Sequence, residues 1–100
     1  MRTRSEEEVF KLAIDTYGKE NQCVVAIEEM AELQKEICKD MRIRFGRPRN
    51  RMAEEIADCE IMIEQLKMIF KLDDSVEMYR LDKVVRLKTR LGMLDDELLE

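Results

Sequence analysis

Apolar residues recur at helical spacing in four stretches. Val9, Phe10, Ala13, Ile14 and Tyr17 follow Ser5 and Glu8, which together read as a capping box. Gly18 is a fitting stop, so a first helix is expected over about 6–17. A second, about 20–40, carries Val24, Val25, Ile27, Met30, Ala31, Leu33, Ile37 and Cys38. Gly46 and Pro48 then break the chain. Asn50 is placed to cap a third helix over about 51–71, with Met52, Ile56, Cys59, Ile61, Met62, Ile63, Leu66, Ile69 and Phe70. Asp74 and Glu77 form a second capping box, opening a helix of about 75–94 with Leu81, Val84, Val85, Leu87, Leu91 and Met93. Asp95 to Glu100 are expected to fray.

Three helices of about 20 residues, each about 30 Å long and joined by short connections, favour an antiparallel arrangement. At about 100° per residue, the apolar positions of the second helix cover more than half of its wheel, and the third is apolar nearly all round. One small monomer lacks the partners to cover both. The expectation is a single all-α domain over 1–100, a four-helix antiparallel bundle assembled as a homo-oligomer, either a dimer or a tetramer.

Composition narrows the chemistry. The 100 residues include 3 Gly and 1 Pro, too few turn formers for a sandwich or barrel of many short strands. A chain of this length buries roughly 60–70% of its unfolded surface, a modest core. There is no His, which excludes Ser–His and Cys–His catalysis and imidazole metal sites. Cys23, Cys38 and Cys59 lack metal-site spacing and read as reduced, half-buried core thiols of a cytoplasmic protein. No apolar signal region opens the chain, and no run approaches the roughly 20 residues of a membrane span.

The net charge is −5, but it is segregated. Residues 41–51 hold Arg42, Arg44, Arg47, Arg49 and Arg51 and no acid, so they carry +5 and the remainder carries −10. An acidic chain whose basic patch is short, with Phe45 its one aromatic, is a poor nucleic-acid binder. The arginines suit contacts to a bound polyphosphate, but a solvated loop or a contact with a neighbouring subunit accounts for them equally.

The informative feature is acid embedded in two apolar helices. Glu28-Glu29-Met30-Ala31-Glu32 and Glu54-Glu55-Ile56-Ala57-Asp58 repeat one pattern, E-E-x-x-E/D, 26 residues apart. Residues three apart share a helix face, which pairs Glu29 with Glu32 and Glu55 with Asp58. On antiparallel helices the two pairs can face each other. At about 4 Å, each like-charged contact costs up to about 4 kcal/mol at an effective dielectric near 20. No lysine follows at i+4: those positions are Leu33, Glu36, Cys59 and Met62. A solvated acidic face is the ordinary reading of one such motif; two copies on core-like helices ask for a cation. Oxygen donors alone suit Mg²⁺ or Mn²⁺. A di-iron bundle would need Glu-x-x-His, which this chain lacks.

Glu28-Glu29-x-x-Glu32, a 22-residue spacer, then Glu55-x-x-Asp58 resembles the signature of the MazG-like, all-α nucleoside triphosphate pyrophosphohydrolases. Gly18 and Gln22 ahead of the first motif, Leu33 after it, and Ala57-Asp58 in the second extend the resemblance across about residues 15–92. The resemblance implies that Glu29, Glu32, Glu55 and Asp58 hold Mg²⁺, with Glu28 and Glu54 as outer members and Gln22 at the substrate. It also implies phosphate contacts from Lys83 and Arg90, seven residues apart on the last helix, although Leu87 stands where relatives often have Asn.

The expected activity is Mg²⁺-dependent hydrolysis of a nucleoside or deoxynucleoside triphosphate to the monophosphate and pyrophosphate, by direct attack of water. No covalent nucleophile offers itself, since Ser5 and Ser75 read as caps and the cysteines as core; a carboxylate not fully used as ligand, Glu28 or Glu29, is the expected proton acceptor. The rivals are phosphoribosyl-ATP pyrophosphohydrolase within the same superfamily and a non-catalytic helical interaction protein whose acidic motif is structural.

Overall fold

The computed structural model describes residues 4–93. Four α-helices make up this span, α1 (Arg4–Tyr17), α2 (Lys19–Arg42), α3 (Asn50–Ile69) and α4 (Asp73–Arg90), with no strand among the described residues. Leu94, the expected end of the fourth helix, and residues 95–100 lie outside them. Gly18 separates α1 from α2 at φ 93°, a left-handed conformation that glycine adopts without strain. Its N–H donates to the Ile14 carbonyl at 2.9 Å and its own carbonyl accepts from Gln22 N–H at 3.0 Å, so α2 starts without a loop.

None of the three sequence-read caps forms. Ser5 lies inside α1. Asn50 is already helical, and Arg49 precedes α3 with no side-chain cap. Leu72 precedes α4 in the same way, leaving Asp73 and Asp74 in its first turn, where carboxylates favour the positive end of the helix dipole.

The centre of the fold is the antiparallel pairing of α2 with α3. Side-chain contacts run in opposite directions along the two helices: Gln22 meets Gln65, and Cys59 meets Glu29. α1 lies across both and buries Phe10 and Ile14. From α2 and α3 the apolar core takes only Ala26, Cys59 and Met62; Gln22, Glu36, Asp40, Glu55 and Gln65 are buried beside them. Cys23 is half-buried, but Cys38 is exposed rather than part of the core.

α4 packs against α3 alone and buries no residue. Leu81, Val84, Val85 and Leu87, read from the sequence as core, are exposed, as are Ile27 and Ile37 of α2 and Ile56, Ile61 and Ile63 of α3. The radius of gyration is 17.2 Å, against about 13 Å for a compact chain of this length. Within one chain α4 thus stands against α3 and apart from α1 and α2. No helix among the described residues is long and apolar enough to cross a membrane.

The arginine-rich connection is not a free loop. Arg44 and Phe45 take left-handed φ values of 53° and 64°, a conformation costing non-glycine residues of order 1 kcal/mol each. That turn lets the chain fold back on α2: Phe45 N–H donates to the Asp40 carbonyl at 2.9 Å. Arg47 then pairs with Glu36 at 3.3 Å. The Arg47 backbone N–H donates to Asp40 Oδ1 at 3.3 Å, Arg49 Nη1 bonds Asp40 Oδ2, and Arg49 Nη2 donates to the Phe45 carbonyl at 2.9 Å. Two buried carboxylates thus fasten the α2–α3 connection.

Asp40→Ala should destabilise the protein by about 1.5–3 kcal/mol, because it strands the Arg47 amide and releases Arg49. In a domain this small that lowers Tm by roughly 10 °C. Arg42→Ala, which removes the same magnitude of charge from a position with no such contact, should stay within about 0.5 kcal/mol. Thermal melts of the two variants test the clasp, and equal Tm values would contradict it.

Candidate metal centre

The α2–α3 pairing brings three of the four anticipated ligands together. Glu29 comes from α2; Glu55 and Asp58, one turn apart, come from α3. One carboxylate oxygen from each lies within 4.8 Å of the others. The three differ in exposure. Glu55 is buried at 6% exposed, Glu29 is half-buried, and Asp58 is exposed. The cluster is rooted in the seam at Glu55 and opens to solvent at Asp58.

Glu55 is the unusual member. Its Oε1 faces Arg51 Nη2 at 3.5 Å, an ion pair longer than a hydrogen bond. Its Oε2 is buried with no hydrogen-bond partner. An unanswered buried polar atom costs about 1–3 kcal/mol, and more when charged. With Glu29 and Asp58, Glu55 makes an all-oxygen group of three carboxylates that could hold a hard divalent cation.

The electrostatics agree with crowding of like charge. Burial raises the Glu29 carboxyl above its ordinary 4.5; the approach of Asp58 within hydrogen-bonding range, and the charges of Asp58, Glu55 and Glu32, raise it further. Behind the acids, the Cys59 thiol donates to the Glu29 carbonyl at 3.4 Å. Burial pushes this thiol up, and the charges of Glu29, Glu55 and Asp58 add to the effect, which disfavours the thiolate.

The other sequence-read residues sit apart from this triple. Glu32 is half-buried one turn along α2, outside the close cluster, although its charge reaches Glu29. Glu28 and Glu54 are exposed, and Glu54 pairs with Arg51 at 3.9 Å. Gln22 is buried, with its Nε2 donating to Gln65 Oε1 at 2.7 Å and its Oε1 accepting from Asn21 at 3.1 Å. That amide joins α2 to α3, a structural role for a residue expected at the substrate. Lys83 and Arg90 are exposed on α4 and line grooves there with Arg86, Thr89 and Val84. α4 makes no contact with α2, so one chain does not bring these two cations into the cluster.

Beside the acids lies a 210 Å³ recess lined by Val25, Glu29, Asp58, Ile61 and Met62. Its lining combines three apolar side chains with two carboxylates. A larger 580 Å³ groove between α1 and α3 includes Phe10, Ala57 and Glu60 and no member of the triple. Sequence reasoning missed Glu36, Asp40 and Gln65. Their i, i+4 and isolated polar positions look like solvated helix surface, and nothing local marks them as buried.

Comparison of the chain with protein families, with curated proteins and with solved structures returns no match.

The raised Glu29 carboxyl has a consequence for stability. In the metal-free protein Glu29 holds its proton more firmly when folded than when unfolded. Its contribution is therefore full below its ordinary 4.5 and is lost as pH rises through the raised native value. Glu29→Gln fixes the neutral form. With chelator present it should raise Tm by a few degrees at pH 7, and the gap to wild type should close on acidification toward the ordinary carboxyl value. Melting curves of both proteins across that range check the sign; a gap that widens at low pH contradicts it.

Proposed function

We propose that the protein is a Mg²⁺-dependent nucleoside triphosphate pyrophosphohydrolase of the MazG-like type. One observation carries the reading: Glu55, buried and with one oxygen unpartnered, clusters with Asp58 of its own helix and with Glu29 across the seam, on two helices that carry a repeated acidic motif. A divalent cation held there would neutralise phosphate charge and polarise the phosphorus under attack. Glu32, one turn from Glu29, supplies further negative potential or a fourth ligand.

Among the chain's own groups, Glu29 is the better general base. It lies within the cluster where the attacking water would be held, whereas Glu28 is exposed and outside it. Water attacks directly at the α or β phosphorus, its proton passes to Glu29, and the Pα–O–Pβ bridge breaks, with pyrophosphate leaving after attack at α and the monophosphate leaving after attack at β. Attack at either phosphorus gives the same products. The recess beside the acids, with Val25, Ile61 and Met62 in its lining, suits the nucleoside.

The exposed apolar residues of α2, α3 and α4 support a homo-oligomer, a dimer or a tetramer, in which a second copy completes the four-helix antiparallel bundle. Lys83 and Arg90 then serve as phosphate contacts delivered across that interface. Nucleic acid and membrane are not partners in this reading, and the reduced cysteines fit the cytoplasm. The uncovered face of α4 also favours a second reading, a non-catalytic helical interaction protein with a structural acidic site.

A panel of nucleoside triphosphates and phosphoribosyl-ATP, incubated with Mg²⁺ and resolved by phosphate product, separates these readings. The expected products are a monophosphate and pyrophosphate. Asp58→Asn should lower turnover more than about 100-fold, since even residues that only orient metal ligands cost 10–100-fold. Light scattering on the same samples should give a multiple of the 11.9 kDa chain. Orthophosphate as sole product, or no turnover from any substrate, rejects the hydrolase reading, and a monomer mass rejects the assembly.

A further inference from the structure

The five arginines of residues 41–51 have different commitments. Arg47 is held by Glu36 and Arg49 by Asp40, both away from the acidic triple. Arg51 alone pairs with a member of it. Its Nη2 faces Glu55 Oε1 at 3.5 Å and its Nη1 faces Glu54 Oε2 at 3.9 Å. Neither link is of hydrogen-bond length, and the Arg51 side chain is 57% exposed against 7% for that of Glu55. The guanidinium lies loosely over a fixed, buried carboxylate.

Arg51 is also badly placed as a helix stabiliser. It occupies the first turn of α3, at the positive end of the helix dipole, where a cation is disfavoured. Its attraction there is to Glu55 and Glu54. The second oxygen of Glu55, buried and without a hydrogen-bond partner, is an independent sign that the carboxylate is only partly answered by this pair.

We propose that Arg51 is the resident counter-charge of Glu55, and that it turns to the phosphate of the bound ligand when a divalent cation takes Glu55 over. The proposal rests on the metal-centre reading above. A cation beside Glu55 repels the guanidinium and takes over its electrostatic role. The released side chain, anchored one turn from Glu55, carries five N–H donors in a planar fork suited to two phosphate oxygens. The acids of the site then have a positive partner in both states, and the cation and the anion bind cooperatively because each favours the released Arg51.

Binding of Mn²⁺ alone, followed by its paramagnetic signal, and of inorganic pyrophosphate at saturating Mn²⁺, followed by calorimetry, tests this with wild type, Arg51→Met, Arg51→Lys and Arg44→Met. Arg51→Met removes a competitor for Glu55, so Mn²⁺ should bind about two- to fivefold tighter, the equilibrium worth of one exposed ion pair. The same variant should bind pyrophosphate about tenfold more weakly or worse, having lost a charged hydrogen-bonding group. Arg51→Lys should restore the Mn²⁺ affinity and only part of the pyrophosphate affinity. Arg44→Met makes the same charge change in the same connection and should leave both unchanged. If Arg51→Met leaves Mn²⁺ affinity unchanged or weaker, leaves pyrophosphate affinity unchanged, or merely matches Arg44→Met, the role of Arg51 is overturned while the metal centre stands. If wild type binds no Mn²⁺, the metal centre itself falls and Arg51 with it.

Discussion

The seam between α2 and α3 is held by polar groups as much as by apolar ones. Ala26, Cys59 and Met62 share it with Gln22, Glu36, Asp40, Glu55 and Gln65. Buried polar groups are tolerable only when answered. At one end Gln22 and Gln65 answer each other; at the other, Glu36 and Asp40 are answered by Arg47 and Arg49 from the connection. The middle differs. There Glu55 has one long ion pair and one unpartnered oxygen, and Glu29 and Asp58 bring further negative charge to it. The ends fix the pairing of the helices, and that pairing holds three carboxylates together against their repulsion. The proposed chemistry follows from this centre, where buried Glu55 stands among like charges.

Much of this was legible in the residues, and the rest was hidden for physical reasons. Periodicity located all four helices because each carries a sustained apolar pattern. The doubled acidic motif located Glu29, Glu55 and Asp58 because i, i+3 spacing fixes a shared face. A helical wheel gives a face but not the crossing of two helices, so it gave no reason to separate Glu32 from the close triple. Glu36 and Asp40 lie among Lys35 and Lys39 and look solvated. Their burial depends on the connection folding back through left-handed Arg44 and Phe45, residues with no local preference for that conformation. The apolar pattern of α4 reads as core in any sequence argument, because pattern records what a face is suited to cover, and within one chain that face is uncovered.

The gradient of exposure across the acids gives the proposed site a direction. Glu55 is fixed in the seam, Glu29 lies at half depth with a raised affinity for protons, and Asp58 faces water beside an apolar recess. A charged ligand entering from solvent meets Asp58 first, and its apolar part has Val25, Ile61 and Met62 to rest on. The arginines follow the same logic. Those bound to Glu36 and Asp40 are spent on architecture, while Arg51, loosely held, remains available to a ligand.

The central claim is that the crowded carboxylates form a binding site for a divalent cation. Thermal melts of wild type and Glu55→Gln, with Mg²⁺ or with monovalent salt at matched ionic strength, test it most directly. Cation at a hundred times its dissociation constant adds about 2.7 kcal/mol when only the native state binds, a rise of roughly 10 °C in a domain this small. That rise is expected in wild type and its loss in Glu55→Gln, whose metal-free form should be at least as stable because a poorly answered buried charge is gone. An equal Mg²⁺ shift in both proteins, or none in either, would contradict it.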